Sequence, residues 1–279
     1  MKEREVKLDE VGPWSEVKLR IIEKYAAAYS TILAKQPNLK HIYVDAFAGA
    51  GVVRSRETGE IMKGSPLLAQ SVTPRFYEYH FIDLNPDRAD SLQKQMQAYS
   101  DTYVYPGDCN KVLIDEILPR CRRKDFRRAL WLLDPYAMDY RWSVVEAAGR
   151  EGSIELLLNF PIMDINRTVG LRNATEVGED AKARMTSFWG DESWERVVHS
   201  AEGSLFNEYP HKAEGDRIVD AYCHRLKTVA KFRYVPRPLL FTVPANNAPL
   251  YYIVFASNNQ TGSRIAEQIL AKYRQKRQQ

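Results

Sequence analysis

The chain has few cysteines and no long apolar run. Its three cysteines, Cys109, Cys121 and Cys223, are far apart, and no CxxC pair or Cys/His cluster is present. This spacing argues against a metal site, and the odd count favours free thiols. No apolar stretch approaches the roughly 20 residues that span a bilayer. The first ten residues are charged throughout and lack the apolar core of a signal peptide. We therefore expect a cytoplasmic protein without a metal site or a membrane segment.

The sequence also lacks internal repeats and low-complexity linkers. Its 279 residues are 44% hydrophobic and 27% charged, which is typical of a globular protein with a sizeable core. The net charge of +4 is unevenly distributed. One basic cluster comprises Arg120, Arg122, Arg123, Lys124, Arg127 and Arg128, and a basic tail runs from Lys272 to Arg277. Such patches either bind phosphate groups or form ordinary solvated surface.

One short segment combines a predicted strand with a glycine turn. Ile42, Tyr43 and Val44 favour a buried strand, and a D-x-F-x-G-x-G pattern follows from residue 45 to residue 51. Gly49 and Gly51 permit positive φ angles and present no Cβ atom to an approaching ligand. Open α/β sheets build nucleotide pockets at such turns. Taken alone, the segment is equally compatible with an ordinary strand and turn.

The rest of the amino-terminal half alternates between predicted strands and helices. Strands are predicted at 77–82, 102–105, 129–133 and 154–158, which indicates a doubly wound, mostly parallel sheet. Each of the five strands ends in a polar residue, in chain order Asp45, Asp83, Asp108, Asp134 and Asn159. Since parallel sheets place their sites at the carboxyl ends of strands, these side chains predict one site.

Two segments interrupt the alternation. Residues 52–64 are polar and predict an inserted loop, which is either a lid or a surface excursion, and which accounts for the long spacing from Gly51 to Asp83 (83 − 51 = 32 positions). Residues 162–212 predict a mostly helical insertion. Strand-like runs at 232–243 and 249–256 then predict an antiparallel hairpin. The predicted organisation is a cofactor-binding half with an amino-terminal helix (1–161), the insertion (162–212) and a segment that completes the same domain (213–279).

A mostly parallel, seven-stranded sheet that ends in an antiparallel hairpin resembles the Rossmann-like class I S-adenosylmethionine-dependent methyltransferases. The segment from Asp45 to Gly51 looks like their first motif, which holds the methionine part of the cofactor. Asp83 matches the acid that binds the ribose, and Asp108 matches the residue that meets the adenine amine. The resemblance implies S-adenosylmethionine as cofactor and a set of cofactor-binding residues: Asp45, Phe47, Gly49, Gly51, Asp83, Asn85, Asp108 and Cys109.

A closer resemblance, to the three-Cys-motif partner proteins, covers nearly the whole chain. It rests on the segments 12–14, 44–49, 64–69, 134–136, 159–161, 188–191 and 249–252. The cysteines in the family name belong to a partner protein, so the resemblance implies a three-Cys-motif protein as a possible partner.

Asp134, Pro135 and Tyr136 are similar to the fourth motif of enzymes that methylate exocyclic amines, which implies a catalytic role for these three residues and a nucleic acid base as acceptor. Adenine-N6 enzymes usually carry two prolines before the aromatic residue, whereas this D-P-aromatic-small form is closer to tRNA guanine-N2 dimethyltransferases. The alternatives are a non-catalytic cofactor-binding protein and a methyltransferase for small molecules or proteins. A dinucleotide-dependent oxidoreductase is disfavoured because Arg54 occupies the third glycine position of G-x-G-x-x-G.

Overall fold

The structure of the protein is a computed structural model that describes residues 8–170, 177–199, 210–243 and 245–275. The strands are β1 (Asp9–Val11), β2 (Lys40–Asp45), β3 (Val52–Ser55), β4 (Ile61–Lys63), β5 (Glu78–Asp83), β6 (Thr102–Pro106), β7 (Arg127–Leu133), β8 (Ile154–Phe160), β9 (Leu239–Thr242) and β10 (Pro249–Ala256). The helices are α1 (Pro13–Leu33), α2 (Ser65–Gln70), α3 (Pro86–Met96), α4 (Cys109–Val112), α5 (Trp142–Glu151), α6 (Ile162–Thr168), α7 (Glu179–Trp189), α8 (Ser193–Val198), α9 (Pro210–Thr228) and α10 (Gln260–Gln275).

The central sheet has seven strands in the order β6-β5-β2-β7-β8-β10-β9. All neighbours from β6 to β8 are parallel, whereas β10 is antiparallel to both β8 and β9. The predicted α/β fold, the Rossmann-like fold of class I methyltransferases, is therefore confirmed. Because strands β6, β5, β2, β7 and β8 run the same way, their carboxyl ends meet along one side of the sheet, here called the carboxyl edge. The opposite side is called the amino edge.

The sheet separates two apolar cores. Successive side chains of a strand point to opposite faces, so Ile42 and Val44 of β2 join one core while Tyr43 joins the other. Helices α5 and α9 cover the first face, and α1 and α10 cover the second. Coverage on both faces explains why β7 and β8 are almost wholly apolar.

The predicted inserted loop at 52–64 is wrong. Strands β3 and β4 form an antiparallel hairpin there, and β3 also pairs in parallel with β1, in the register Asp9 to Val53. These strands are only three or four residues long, and apolar and polar side chains do not alternate along them, so they show no apolar periodicity. The resulting three-stranded sheet lies beside the carboxyl edge of the central sheet.

The described part of the predicted insertion is helical and belongs to the main core. Met185, Phe188 and Trp189 of α7 and Trp194 of α8 are buried in the same apolar cluster as β7 and β8. Residues 171–176 and 200–209 lie outside the described ranges, and α9 already begins at Pro210, inside the predicted insertion. The division into three segments stays a prediction.

The predicted strand at 232–243 is much shorter than expected, because β9 spans only Leu239–Thr242. Pro236 and Pro238 lack the N–H group that a ladder needs, so among the described residues the run forms an isolated bridge, between Tyr234 and Ser257, before the strand begins at residue 239. Within the described ranges, none of the helices combines the length and the apolarity needed to cross a bilayer.

Candidate active site

A cleft of about 980 Å³ lies at the carboxyl edge, over the ends of β2, β5, β7 and β8. Helix α1 and the small sheet of β1, β3 and β4 form one of its sides. Ligand sites typically occupy about 300 to 1,000 Å³, so the cleft has room for a nucleotide-sized ligand and part of a second molecule.

Asp45, at the end of β2, lies beneath the floor of the cleft. This side chain is fully buried and does not line the cleft. Its Oδ1 accepts the Phe47 N–H at 3.1 Å. Burial raises the pKa of Asp45 to about 7, although hydrogen bonds from the Ser65 hydroxyl and the Phe47 amide favour the ionised form. Asp45 therefore stabilises the turn from beneath, while Phe47 faces the cleft.

The turn itself requires its two glycines. Gly49 and Gly51 have φ angles of +63° and +84°, which side-chain-bearing residues rarely adopt. A Cβ atom on Gly51 would also lie 2.9 Å from Leu92 Cδ1. The N–H of Gly49 donates to Asp83 Oδ2 at 2.8 Å, which ties the turn to the end of the neighbouring strand β5.

Asp83 is held rigidly and still faces the cleft. Its Oδ2 accepts the Gly49 N–H, and its Oδ1 accepts the Asn85 N–H at 2.8 Å. Each carboxylate oxygen can accept a second hydrogen bond, so a ligand with two neighbouring hydroxyl groups fits this position. Asn85 caps α3, because its Oδ1 accepts the N–H groups of Asp87 and Arg88 at 2.9 and 3.3 Å.

Asp108 and Cys109 follow β6 and differ in access. Asp108 lines the cleft and caps α4, with both Asn110 nitrogens donating to its Oδ1 at 2.9 Å. Arg141 Nη2 lies 3.9 Å from Asp108 Oδ2. Cys109 is buried beneath and does not line the cleft. Burial raises the pKa of the Cys109 thiol to about 12, so it stays protonated at neutral pH.

The loop after β7 is fixed by buried polar side chains. Asn110 Oδ1 accepts the Arg141 N–H at 2.6 Å. Asp164 Oδ2 accepts the Met138 N–H at 3.2 Å and a guanidinium N–H of Arg184 at 3.3 Å. The wall opposite the glycine turn is therefore as rigid as the turn itself.

Asp134, at the end of β7, is anchored on one oxygen. Its Oδ1 accepts from Lys18 Nζ at 2.7 Å and from Asn159 Nδ2 at 3.0 Å. Asn159 Nδ2 also donates to the Pro135 carbonyl at 3.1 Å, which fixes the turn after the carboxylate. No hydrogen bond to Asp134 Oδ2 from the described part of the chain is found. Tyr136 follows with 78% of its surface exposed.

Two contacts at this site are not predicted from the sequence. Lys18 is one of several charged residues of α1. No local pattern distinguishes it from the others, because its partner Asp134 is 116 positions away. Asp9, on the unpredicted strand β1, forms an ion pair with Arg88 of α3 at 2.5 Å. All four side chains line the cleft. Only a three-dimensional structure reveals such contacts.

Comparison with known proteins identifies the fold. No family model and no curated protein matches the chain. The protein LPL1258 from Legionella pneumophila has a TM-score of 0.51 and 11% identity, over 91% of this chain and 92% of that one. Trm1 from Pyrococcus horikoshii, solved with S-adenosyl-L-methionine, has a TM-score of 0.43 and 10% identity, over 91% and 58%. The methyltransferase domain of bacterial Hen1 has a TM-score of 0.38 and 10% identity, over 85% and 99%. At such identities the likeness concerns the fold alone.

The structure brings the predicted site residues to one place. Phe47, Gly49, Gly51, Asp83, Asn85, Asp108, Asp134, Pro135 and Tyr136 all line the cleft. Asp45 and Cys109 lie beneath it. Their individual roles, and membership of the three-Cys-motif partner family, stay predictions. Among the residues that the structure describes, no three His, Cys, Asp or Glu side chains form a metal-binding group.

Proposed function

We propose that the protein is an S-adenosylmethionine-dependent methyltransferase that acts on an exocyclic amine of a nucleic acid base. The cofactor part of the proposal is supported by the fold and by the fit of the cleft. The glycine turn leaves space for the methionine part, each Asp83 carboxylate oxygen can accept a further hydrogen bond from a ribose hydroxyl, and Asp108 lines the same cleft as a candidate acceptor for the adenine amine.

One observation carries the acceptor part of the proposal, namely an exposed aromatic ring directly after the carboxylate. Tyr136 leaves 78% of its surface to solvent at the mouth of the cleft, next to Asp134 and Pro135. Its exposed fraction is the largest among the large apolar and aromatic side chains of the described residues. Stacking on such a ring stabilises a base that has left its helix.

The chemistry needs positioning more than activation. S-adenosylmethionine supplies a methyl group on a sulfonium, which is already a strong electrophile. The protein must therefore hold a weakly nucleophilic amine in line with that methyl group. Asp134 Oδ2 is the acceptor available for an amine N–H, because Lys18 and Asn159 hold the other oxygen. Such a hydrogen bond favours the pyramidal nitrogen that the reaction requires.

The cleft is lined by charges of both signs, and its arginines offer positions for the phosphate groups of a substrate. Four arginines line it, namely Arg56, Arg88, Arg141 and Arg184. The basic cluster at 120–128, by contrast, lies at the amino edge, where Arg127 forms an ion pair with Glu78 at 3.1 Å. We therefore assign phosphate contacts to the arginines of the cleft and not to that cluster.

A second candidate function is a non-catalytic, cofactor-binding partner of a three-Cys-motif protein. The Lys18–Asp134 ion pair favours it, because the side chain of Asp134 is only 17% exposed and one oxygen is already occupied. In that case the carboxylate would stabilise the contact between α1 and the sheet, and it would contribute nothing to methyl transfer.

The test is methyl transfer from tritium-labelled S-adenosylmethionine to tRNA and to DNA, both from cells that lack the gene. We expect label in a nucleic acid and a methylated base amine by nucleoside mass spectrometry. Asp134→Asn should lower the rate about 100- to 1,000-fold, the usual loss when one preorganised polar contact to a reacting group is removed. Asp125→Asn is the matched control, since Asp125 is exposed at the amino edge.

Two results would contradict the proposal. Label that appears only in protein or in small molecules assigns the enzyme to another acceptor class. A protein that binds S-adenosylhomocysteine but transfers no label to any acceptor, with or without a three-Cys-motif protein, supports the second candidate.

A further inference from the structure

A second, smaller cavity lies at the amino edge of the sheet, away from the cleft. It measures about 290 Å³ and is lined by α1, by the starts of β7 and β8, and by the segment that leads from β10 into α10. Its apolar walls include Ile32, Leu33 and Ile265. None of the residues proposed for cofactor binding or methyl transfer lines it.

The hydroxyl group of a buried tyrosine in this cavity makes no hydrogen bond to the described residues. Tyr29 is 6% exposed and lines the cavity, and its Oη makes no hydrogen bond to the described part of the chain. Tyr25, one helical turn earlier, shows the usual arrangement, since its hydroxyl donates to Glu155. Buried hydroxyl groups are nearly always hydrogen-bonded, so the Tyr29 hydroxyl points to a polar atom that a ligand supplies.

The cavity is also lined by a cation that has no counter-charge within ion-pair distance among the described residues. Arg128 is half-buried, and the one hydrogen bond described for its guanidinium goes to the backbone carbonyl of Arg127 at 2.6 Å. No carboxylate from the described ranges lies within ion-pair distance of it, whereas the neighbouring Arg127 is paired with Glu78. Arg123 lines the same cavity and adds a second positive charge. A partly desolvated guanidinium is a strong site for oxyanions.

The acid in the cavity is already engaged. Glu155 Oε2 accepts the Tyr25 hydroxyl, and its Oε1 accepts the Ser257 hydroxyl at 3.1 Å. A Cβ atom on Gly262 would lie 2.5 Å from Glu155 Oε1, so the first turn of α10 sits directly against this carboxylate. Glu155 thus stabilises α1 and α10 and leaves Arg128 free for a ligand.

We propose that this cavity binds a small organic anion, with its carboxylate or phosphate oxygens on Arg128 and the Tyr29 hydroxyl. The apolar part of the ligand lies between Ile32, Leu33 and Ile265. The volume is at the lower end of the range for ligand sites, about 300 Å³, so it admits a single-ring compound and excludes a nucleotide. The site is independent of the proposed methyltransferase function.

The test is calorimetric titration of the whole protein with benzoate, phenyl phosphate and inorganic phosphate, in a buffer without other oxyanions. We expect at least one of the two aromatic anions to bind one molecule per chain. Benzamide, a neutral analogue of benzoate, should bind at least about tenfold more weakly, because it cannot form a charge-assisted pair. Inorganic phosphate alone should bind more weakly than phenyl phosphate, because it lacks the ring.

Variants locate the site. Arg128→Gln should weaken binding of the anion about tenfold or more, and the isosteric change Tyr29→Phe should weaken it about threefold. Arg20→Gln, on the exposed face of α1, is the matched control and should have no effect. Asp83→Ala should also leave anion binding unchanged, which separates this proposal from the cofactor site.

The proposal is wrong if neither aromatic anion binds at millimolar concentration. Equal affinities of the anion for the wild type and for both site variants would overturn it as well. Equal binding of benzoate and benzamide would show an apolar cavity without an anion site.

Discussion

The two edges of one sheet present opposite chemistry. At the carboxyl edge most of the parallel strands end in acids, and backbone N–H groups donate hydrogen bonds to both oxygens of one of them, Asp83. At the amino edge β7 begins with Arg127 and Arg128, and only the first of these has an acidic partner among the described residues. The first edge therefore suits ligands that donate hydrogen bonds, such as hydroxyl groups and amines. The second suits anions.

Each edge also contains a buried acid whose pKa is raised. Burial raises the pKa of Asp45 at the carboxyl edge and of Glu155 at the amino edge to about 7. Asp45 accepts a hydrogen bond from the Phe47 N–H, whereas Glu155 accepts hydrogen bonds from two hydroxyl groups, those of Tyr25 and Ser257. Neither of these acids lines the cleft, so burial of a carboxylate does not by itself mark a catalytic site.

The largest expected effect concerns the pH dependence of stability. The pKa of Glu155 is raised from 4.5 to about 7 in the folded protein, so the folded state keeps a proton that the unfolded state has lost. Stability therefore falls as the pH rises from 4.5 to 7 and is constant above that range, with a total loss of up to about 3 kcal/mol. Glu155→Gln removes this loss, so its free energy of unfolding should fall less between pH 5 and pH 8.

Urea denaturation at both pH values measures the effect. Asp45 contributes the same pH dependence of stability to the wild type and to Glu155→Gln. The difference between these two proteins therefore isolates the contribution of Glu155. Glu23→Gln changes an exposed residue of α1 and should leave the pH dependence of the free energy of unfolding as it is in the wild type. Identical slopes for Glu155→Gln and the wild type would show that Glu155 is ionised throughout this range.

The next effect tests whether Asp134 acts in catalysis. Lys18→Met removes the cation that holds Asp134 Oδ1, so we expect methyl transfer to fall about 30-fold, or about 2 kcal/mol. Affinity for S-adenosylhomocysteine should change less than about threefold, because Lys18 contacts Asp134, which is proposed to bind the methyl acceptor and not the cofactor. Transfer rates and calorimetry together separate the two quantities.

Lys24→Met is the matched control for this change. Lys24 lies on the same helix and makes a similar contact with a tyrosine ring. Its Nζ is 5.0 Å from the ring centre of Tyr273, and the Nζ of Lys18 is 5.2 Å from the ring centre of Tyr251. A loss of activity in Lys24→Met as large as that in Lys18→Met would mean that both lysines act through the stability of α1.

The smallest effect concerns the strand that was not predicted. Asp9 of β1 pairs with Arg88 of α3 beside the cleft. Exposed ion pairs contribute about 0.2 to 1 kcal/mol, so Asp9→Asn should speed the dissociation of S-adenosylhomocysteine about threefold. Stopped-flow fluorescence measures this rate. Glu10→Gln, on the same strand, should leave it unchanged, and no change in Asp9→Asn would show that β1 does not restrain the ligand.

The sequence predicts the carboxyl edge better than the amino edge, and the reason is physical. The five parallel strands and their terminal polar residues follow from local patterns, because each strand carries its own apolar run and ends in a turn. The pairing of β1 with β3 involves three residues on each strand and cannot be recognised locally. The unpartnered Tyr29 hydroxyl and the contact of Lys18 with Asp134 depend on the packing of α1 against distant strands, which periodicity alone does not specify.

Titration of the wild-type protein with S-adenosylhomocysteine tests the central claim most directly. We expect one molecule per chain with micromolar affinity and about 100-fold weaker binding to folded Asp83→Ala, since two hydrogen bonds to a charged group are lost. Tyr29→Phe, at the other edge, should bind as the wild type does. A folded wild-type protein that shows no heat of binding, or an Asp83→Ala variant that binds equally well, would contradict the assignment of the carboxyl edge as the cofactor site.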